Sequence, residues 1–389
     1  MIRYIKHILS VLIIVGLYGP GMLVAQTFDE FKKQREAELQ RFKENYTKEY
    51  NEFARKEKEG IEKLKKELAE WWGRNDAKVS TQKEWVGYSR DKKTRTDVNF
   101  EDGVVKVEVL LTPEDAENTD KVKSDVRSAV KNMVYETCSV YEGDAEKGGL
   151  LNGQLKTLDG KPVSTRNAEL FADELVMSNQ IVLDTVRGAD GISRVKVTLD
   201  IHMVPDHIII RAQQFKPIIR SFAGQYEIPE QLIFAVVDAE STFNPLARSY
   251  VPAYGLMQIV PKFAGRDAFN YIYKKDTIVT ADYLYVPDNN IRLGTAYFKL
   301  LTTHYFKGIS NSQSRILCAI AAYNTGTGNV YKAFKGVGNK AAIFERINSM
   351  RYDELFNYLK ENLPSAETRN YIQKVTRKMQ QYNSWLAGE

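Results

Sequence analysis

Ile228-Pro229-Glu230-Gln231-Leu232-Ile233-Phe234-Ala235-Val236-Val237-Asp238-Ala239-Glu240-Ser241-Thr242-Phe243-Asn244-Pro245 is the stretch whose reading decides the fold. Proline before Glu230 suits the first turn of a helix. Asn244-Pro245 ends it, because the residue before a proline is pushed out of the helical region. Ile233, Val236, Val237 and Glu240 fall on one face at helical spacing. Glu240 therefore continues an apolar stripe, while Asp238 points to another side. A glutamate on a helix normally sits on the solvated face and carries no chemistry, and on position alone that bland reading is the commoner one. A carboxyl at the end of an apolar stripe is different, because burial disfavours its charged form and raises its pKa. Such a group can stay protonated near neutrality and deliver a proton to a glycosidic oxygen.

Outward from this helix the chain divides by composition. From residue 213 to 389 helical segments dominate, punctuated by Asn, Gly and Pro, which predicts a mainly α domain of ordinary size. Residues 76–212 read as a small α+β domain. Val98 and Phe100 precede Asp102-Gly103, and Val105, Val107 and Val109 follow, a hairpin signal. Thr112-Pro113-Glu114 starts a helix with Val122, Val126, Val130 and Met133 on its apolar face. A short helix is expected over 168–175, and a strand through Val195, Val197, Leu199, Ile201 and Met203. Residues 26–75 are dense in Lys and Glu, with apolar residues at multiples of three and four. They predict a long amphipathic helix, interrupted near Gly60, that packs on its own protein. Residues 1–25 read as a signal peptide: Arg3, Lys6 and His7, an apolar run from Ile8 to Leu17, then Ala25 as the cleavage residue.

Length and charge bound the function. The 389 residues exceed one ordinary core. A net charge of +5 favours an anionic polymer without naming one. Basic and aromatic residues are dispersed, and export is indicated, so no nucleic-acid partner is expected. Of two cysteines, Cys138 and Cys318, neither belongs to a disulfide framework, and both read as buried free thiols. His7, His202, His207 and His304 show no metal-ligand spacing, and neither metal nor cofactor is expected.

Four motifs run in order from the end of the helix. They are Glu240 to Ser249 (Glu-Ser-Thr-Phe-Asn-Pro-Leu-Ala-Arg-Ser), then Gly255-Leu256-Met257-Gln258, then Ala322-Tyr323-Asn324, and finally Pro364-Ser365-Ala366-Glu367-Thr368-Arg369-Asn370-Tyr371. Pro287-Asp288-Asn289-Asn290-Ile291 and Gly294-Thr295-Ala296-Tyr297 also fit. Together they resemble the soluble-type lytic transglycosylase domain, most strongly from Phe215 to Lys374. Over most of the chain the organisation resembles the membrane-bound lytic murein transglycosylase C family, in which a Lys/Glu-rich helix and a small α+β domain also precede the catalytic domain.

The resemblance implies a lysozyme-like fold over 213–389 and a groove for alternating N-acetylglucosamine and N-acetylmuramic acid. It implies that Glu240 acts as the single acid and base, and that the products end in 1,6-anhydromuramic acid. Gln258 and Tyr323 are expected to bind substrate, as are Ser249, Met257, Asn324 and Tyr371. Each also has a plainer role, a turn hydrogen bond for Gln258 and core filling for Met257 among them. Peptidoglycan is the expected partner, in the periplasm, with association to the outer membrane and to cell-wall machinery as further expectations. The sequence departs from the family at Tyr250-Val251-Pro252-Ala253-Tyr254, which is bulkier than the usual small residues, and in lacking a cysteine for lipid attachment near Ala25. Two other readings stand beside this one. One is a hydrolysing muramidase with Asp267, Asp276 or Asp282 as second carboxylate; the other is a non-catalytic wall-binding protein.

Overall fold

The structure, a computed structural model, describes residues 28–139, 149–178 and 180–388. The signal-peptide reading of residues 1–25 lies outside them. The first element is α1, Phe28–Trp72. Its residues up to Arg55 form one compact unit, and Lys56–Glu389 form a second, in which everything below lies. α1 runs through Gly60 without the expected break; a helical glycine costs only about 1 kcal/mol. Ile61, Leu68, Ala69 and Trp72 are its buried positions. Gly73 ends it with φ +79°, a conformation that favours glycine.

Five strands follow: β1 (Glu84–Tyr88), β2 (Thr94–Asn99), β3 (Val104–Leu111), β4 (Ile181–Arg187) and β5 (Ser193–His202). They form one antiparallel sheet in the order β1-β2-β3-β5-β4. The hairpin predicted around Asp102-Gly103 pairs Asn99 with Val104 across a four-residue turn, with Gly103 at φ +68°. β1 and β4 lack the alternating pattern of a half-buried strand and were not legible in the sequence. Between β3 and β4 lie α2 (Pro113–Glu117), α3 (Thr119–Ser139) and α4 (Ala168–Met177). Thr112 caps α2 as expected, its hydroxyl accepting from Asp115 N at 3.0 Å. The apolar face read into that helix belongs instead to α3.

Period-two alternation gives the sheet two unlike faces. Val98, Val105, Val107, Val109, Val197, Leu199 and Ile201 pack on Val122, Val126, Val130 and Met133 of α3 and on Phe171 of α4. The opposite face buries charge. Arg95 lies opposite Glu108 in register and contacts it at 2.5 Å. Asp76 lies 3.1 Å from Arg95 and 2.8 Å from Lys196. The Trp72 ring covers the Arg95 guanidinium at 4.2 Å, and its Nε1 donates to Lys92 O at 2.9 Å. The last turns of α1 thus roof a network in which every buried charge has a partner, as burial of charge demands.

The helical region begins with α5 (His207–Tyr226), which contains the expected 212/213 boundary, so the junction is a continuous helix. α6 (Glu230–Ser241) follows, buried from Leu232 to Ala239. A helix covered on all sides is the centre of its domain. Around it come α7 (Arg266–Tyr273), α8 (Ala281–Tyr285), α9 (Pro287–Leu300), α10 (Ser312–Thr325), α11 (Thr327–Ala333), α12 (Lys340–Asn348), α13 (Tyr352–Asn362) and α14 (Ala366–Ala387). α14 lies along α6, and Phe234, Phe243, Tyr382 and Trp385 interlock at ring separations of 5.2 to 6.2 Å. Cys318 is a buried free thiol on α10; the side chain of Cys138 lies outside the described set.

One side chain ties the two regions together. Arg211, 1% exposed, donates to Phe100 O at 2.7 Å, to Gln154 Oε1, and to Thr242 O at 3.0 Å. His207 Nδ1 lies 3.1 Å away. Burial pulls the Arg211 guanidinium down to about 9 and, with Arg211 beside it, pushes His207 down to about 4. Replacing Arg211 with Met would strand three buried acceptors, each costing about 1–3 kcal/mol. Equilibrium urea unfolding of Arg211→Met is expected to show a loss of about 3 kcal/mol or more; an unchanged midpoint contradicts the clamp.

Candidate active site

Glu240 occupies the last turn of α6, where the helix dipole presents its negative end. The chain leaves the helix through two residues in the left-handed region, Thr242 (φ 51°) and Phe243 (φ 60°). That reversal folds the following segment back beside Glu240. It is held by Ser241 Oγ, which donates to Leu256 O at 2.8 Å, and by Arg211 on Thr242 O.

The Glu240 side chain keeps some exposure. Its Oε1 accepts a hydrogen bond from Tyr371 Oη of α14 at 2.6 Å. Burial pushes its pKa up to about 7, against the opposing pull of the Tyr371 hydroxyl and the Lys374 charge; Glu367 adds a smaller upward push. Asp238 turns away, to Lys378 Nζ at 2.6 Å and Tyr382 Oη at 3.0 Å.

Gly255-Leu256-Met257-Gln258 forms a tight loop. Gly255 has φ +73°, and a Cβ there would stand 2.3 Å from Asn290 Nδ2 and 2.4 Å from Leu284 O. Asn290, fully buried on α9, accepts from Met257 N at 2.8 Å and donates to Tyr254 O and Leu284 O, both at 2.8 Å. It is the residue that gives the loop its shape. Gln258 is held at φ 47°, costly for a residue with a Cβ. Its Nε2 donates to Gly255 O at 3.0 Å, the turn bond foreseen for it. Its Oε1 is buried with no hydrogen-bond partner among the described residues. Flipping the amide would set oxygen against oxygen, so the orphan acceptor is a fixed feature.

The other expected site residues separate. Tyr323 Oη donates to Met257 O at 2.7 Å, and its ring stacks on Phe298 at 4.6 Å. Asn324 Oδ1 accepts from Thr368 Oγ1 at 2.7 Å, which ties the Ala-Tyr-Asn motif to the start of α14, one turn before Tyr371. The Met257 side chain is fully buried, its sulfur against Gly294, where a Cβ would come within 2.2 Å. This corrects the expectation that its side chain binds substrate: it fills the core, the plainer role, and only its main chain meets Tyr323. Ser249 donates to Val251 O and its N–H bonds Ala253 O at 3.1 Å, so it shapes the bulky loop. That loop is braced by α1: Glu57 pairs with Arg248 at 2.6 Å and accepts from Tyr254 Oη at 2.9 Å, and Glu62 accepts from Tyr250 Oη at 3.0 Å.

One charged group close to this helix end was not singled out in the sequence. Lys374, one turn beyond Tyr371 on α14, donates to Ala239 O at 3.0 Å, beside Glu240. Burial, with Lys83 beside it, pulls its pKa down to about 8. A lone lysine in a helix gives no sequence signal; only the pairing of α14 with α6 reveals it. No group of His, Cys, Asp and Glu among the described residues could hold a metal.

Residues 217–344 match the family Transglycosylase SLT domain, and residues 46–214 match Membrane-bound lytic murein transglycosylase C, N-terminal domain. The chain is therefore a lytic murein transglycosylase, a lyase acting on peptidoglycan. It is 35% identical to membrane-bound lytic murein transglycosylase C of Haemophilus ducreyi, over 80% of this chain and 82% of that one. It is 32% identical to the protein of that name from Klebsiella pneumoniae, over 86% and 92%. The chain belongs to the membrane-bound lytic murein transglycosylase C family. The lytic transglycosylase Slt of Pseudomonas aeruginosa is 28% identical, over 44% of this chain and 24% of its own, with a TM-score of 0.35.

The raised Glu240 pKa has a consequence for stability. Below the ordinary value of 4.5 the group is protonated whether or not the chain is folded. Between 4.5 and about 7 the unfolded chain releases the proton first, so folded stability falls as pH rises, and the loss is complete above 7. Glu240→Gln removes that penalty. The variant is expected to be more stable than the wild type at pH 8, by on the order of 2 kcal/mol, and no more stable at pH 4. Thermal unfolding at the two pH values checks this.

Proposed function

We propose that the enzyme cleaves the β-1,4 bond between N-acetylmuramic acid and N-acetylglucosamine without water, with Glu240 as its single acid and base. Glu240 first gives its proton to the glycosidic oxygen as the bond from C1 to that oxygen breaks. The N-acetyl carbonyl of the muramic acid stabilises the positive charge at C1. The Glu240 carboxylate then takes the proton of the C6 hydroxyl, O6 closes on C1, and the acid is restored. The products are a free N-acetylglucosamine 4-hydroxyl and a 1,6-anhydromuramic end. What carries this reading is the placement of the Glu240 carboxyl at the end of the buried helix α6, accepting from Tyr371 Oη at 2.6 Å; burial there raises its proton affinity, which suits one group to proton donation and proton removal in one cycle. Tyr371 steadies the carboxylate halfway through. The orphan Oε1 of Gln258 is an acceptor suited to a sugar N–H or hydroxyl, and filling it would recover a hydrogen bond the folded chain leaves unmade.

The hydrolytic alternative gains little support from its three candidates. Asp276 is held ionised by Arg266 at 2.5 Å, and Asp282 is exposed. Burial pushes Asp267 up, with Arg266 and Asp276 as its charged neighbours rather than Glu240. The charges acting on Glu240 are Lys374 and Glu367.

For the rest of the chain, residues 1–25 direct export to the periplasm, residues 26–75 are a long amphipathic helical segment, residues 76–212 an accessory domain, and residues 213–389 the catalytic domain. No helix among the described residues is long and apolar enough to cross a membrane. The relatives' name, membrane-bound, supports association with a membrane.

Glu240→Gln keeps the shape and removes the proton. Release of soluble muropeptides from purified sacculi is expected to fall about 10²–10⁴-fold, with the residual products still ending in 1,6-anhydromuramic acid by mass spectrometry. Wild-type release by the variant would overturn the assignment.

A further inference from the structure

At the other end of α6 from Glu240 lies a cleft of about 560 Å³, lined by residues of α6, α10, α13 and α14. Gln231 marks its place on α6, and at 1.5 Å of rise per residue it stands about 14 Å along the helix from Glu240. α14 serves both places from different faces. Tyr371 meets Glu240, whereas Thr376, Gln380 and Asn383 lie about 120–180° farther around the helix, in the cleft. Although 27% of the chain is charged, no charged residue lines this cleft. Four side-chain amides do, those of Gln231, Gln313, Gln380 and Asn383, and none of them is hydrogen-bonded within the described residues. Thr376 Oγ1 is buried there with no hydrogen-bond partner among the described residues. Ile316, Met379 and the Tyr352 ring supply the apolar part of the lining.

A ligand suited to this lining is neutral, carries groups that both donate and accept, and has a weakly apolar face. Amide and hydroxyl side chains match the acetamido and hydroxyl groups of a sugar in just this way. A stem peptide, with its carboxylates and its ammonium group, would find none of the charge-assisted bonds that hold such ions. The volume lies within the range of small-ligand sites, about 300–1,000 Å³. Peptidoglycan, the substrate of this family, is built on strands of N-acetylated sugars. We propose that the cleft is a second sugar-binding site, which holds a glycan strand neighbouring the one at Glu240. Its distance from Glu240 keeps the bound strand out of reach of that carboxyl, so the site binds without cutting. Two linked sites hold the enzyme on a wall of many strands more firmly than either alone, and the second adds nothing on a single short strand. The site depends on the family's substrate and is independent of the role of Glu240.

Two measurements on the full-length chain test this. The first is titration with the tetrasaccharide of N-acetylglucosamine, followed on the ¹H–¹⁵N signals of the four side-chain amides, each assigned by its loss in the corresponding alanine variant. All four are expected to shift with one common midpoint, and the free stem peptide is expected to leave them in place. The second compares the wild type with Gln380→Ala/Asn383→Ala, a change of two exposed side chains. Release of muropeptides from purified sacculi is expected to fall about 3–10-fold, as loss of hydrogen bonds to a bound sugar would give, while the rate on a soluble four-sugar strand stays unchanged. Amides that do not shift, amides that answer the stem peptide in place of the sugar, an unchanged rate on sacculi, or equal losses on the two substrates would each overturn the site. Were Glu240 not the acid, the amide shifts would be the same, so the two readings fail separately.

Discussion

A carboxyl has been placed where its charge is least welcome, at the C-terminal end of a buried helix. Low polarity and the helix dipole both disfavour the anion there. Much of the surrounding structure answers that constraint. Tyr371 supplies a hydrogen bond to the carboxyl itself. Lys374 and Arg211 supply cations to carbonyls at the same helix end, Ala239 O and Thr242 O. These donors come from α14 and α5, so the packing of both helices on α6 and the proton affinity of Glu240 are one arrangement. The balance falls near neutrality because none of them is a full counter-charge in contact with the carboxyl.

The second organising element is the loop beneath the carboxyl. Asn290 spends its amide on three main-chain groups, which forces Gly255 and Gln258 into left-handed conformations. Strain of this kind persists where the surroundings over-determine it, and it gathers at functional sites. Here it leaves the oxygen of Gln258 buried and unused. Tyr323 completes the loop by holding Met257 O, and the Asn324–Thr368 bond links it to the helix that bears Tyr371. Along one edge, α1 braces the bulky segment before the loop through Glu57 and Glu62.

Much of this is legible in the amino-acid sequence. The fold class follows from period-two alternation in β2, β3 and β5 and from helical spacing beyond residue 213. Glu240 stands out because a polar residue interrupts an apolar stripe, and the ordered motifs single out Gln258, Tyr323 and Tyr371, of which Tyr371 bonds its carboxyl. What escapes has physical reasons. β1 and β4 flank the sheet and do not alternate cleanly. Gly60 reads as a break, yet a long helix absorbs one glycine. Met257 lies in a site motif but points into the core, a distinction of side-chain direction that spacing does not carry. Lys374 and Asn290 act through contacts between segments remote in the chain, and neither residue type marks itself as functional.

The central claim is that Glu240 closes the cycle with the substrate's own hydroxyl in place of water. Digestion of purified sacculi in H₂¹⁸O, followed by mass spectrometry of the muropeptides, tests it most directly. The account predicts anhydro ends with no ¹⁸O. Reducing-end muramic acid carrying one ¹⁸O for each bond cut would show that water is the nucleophile and would contradict it.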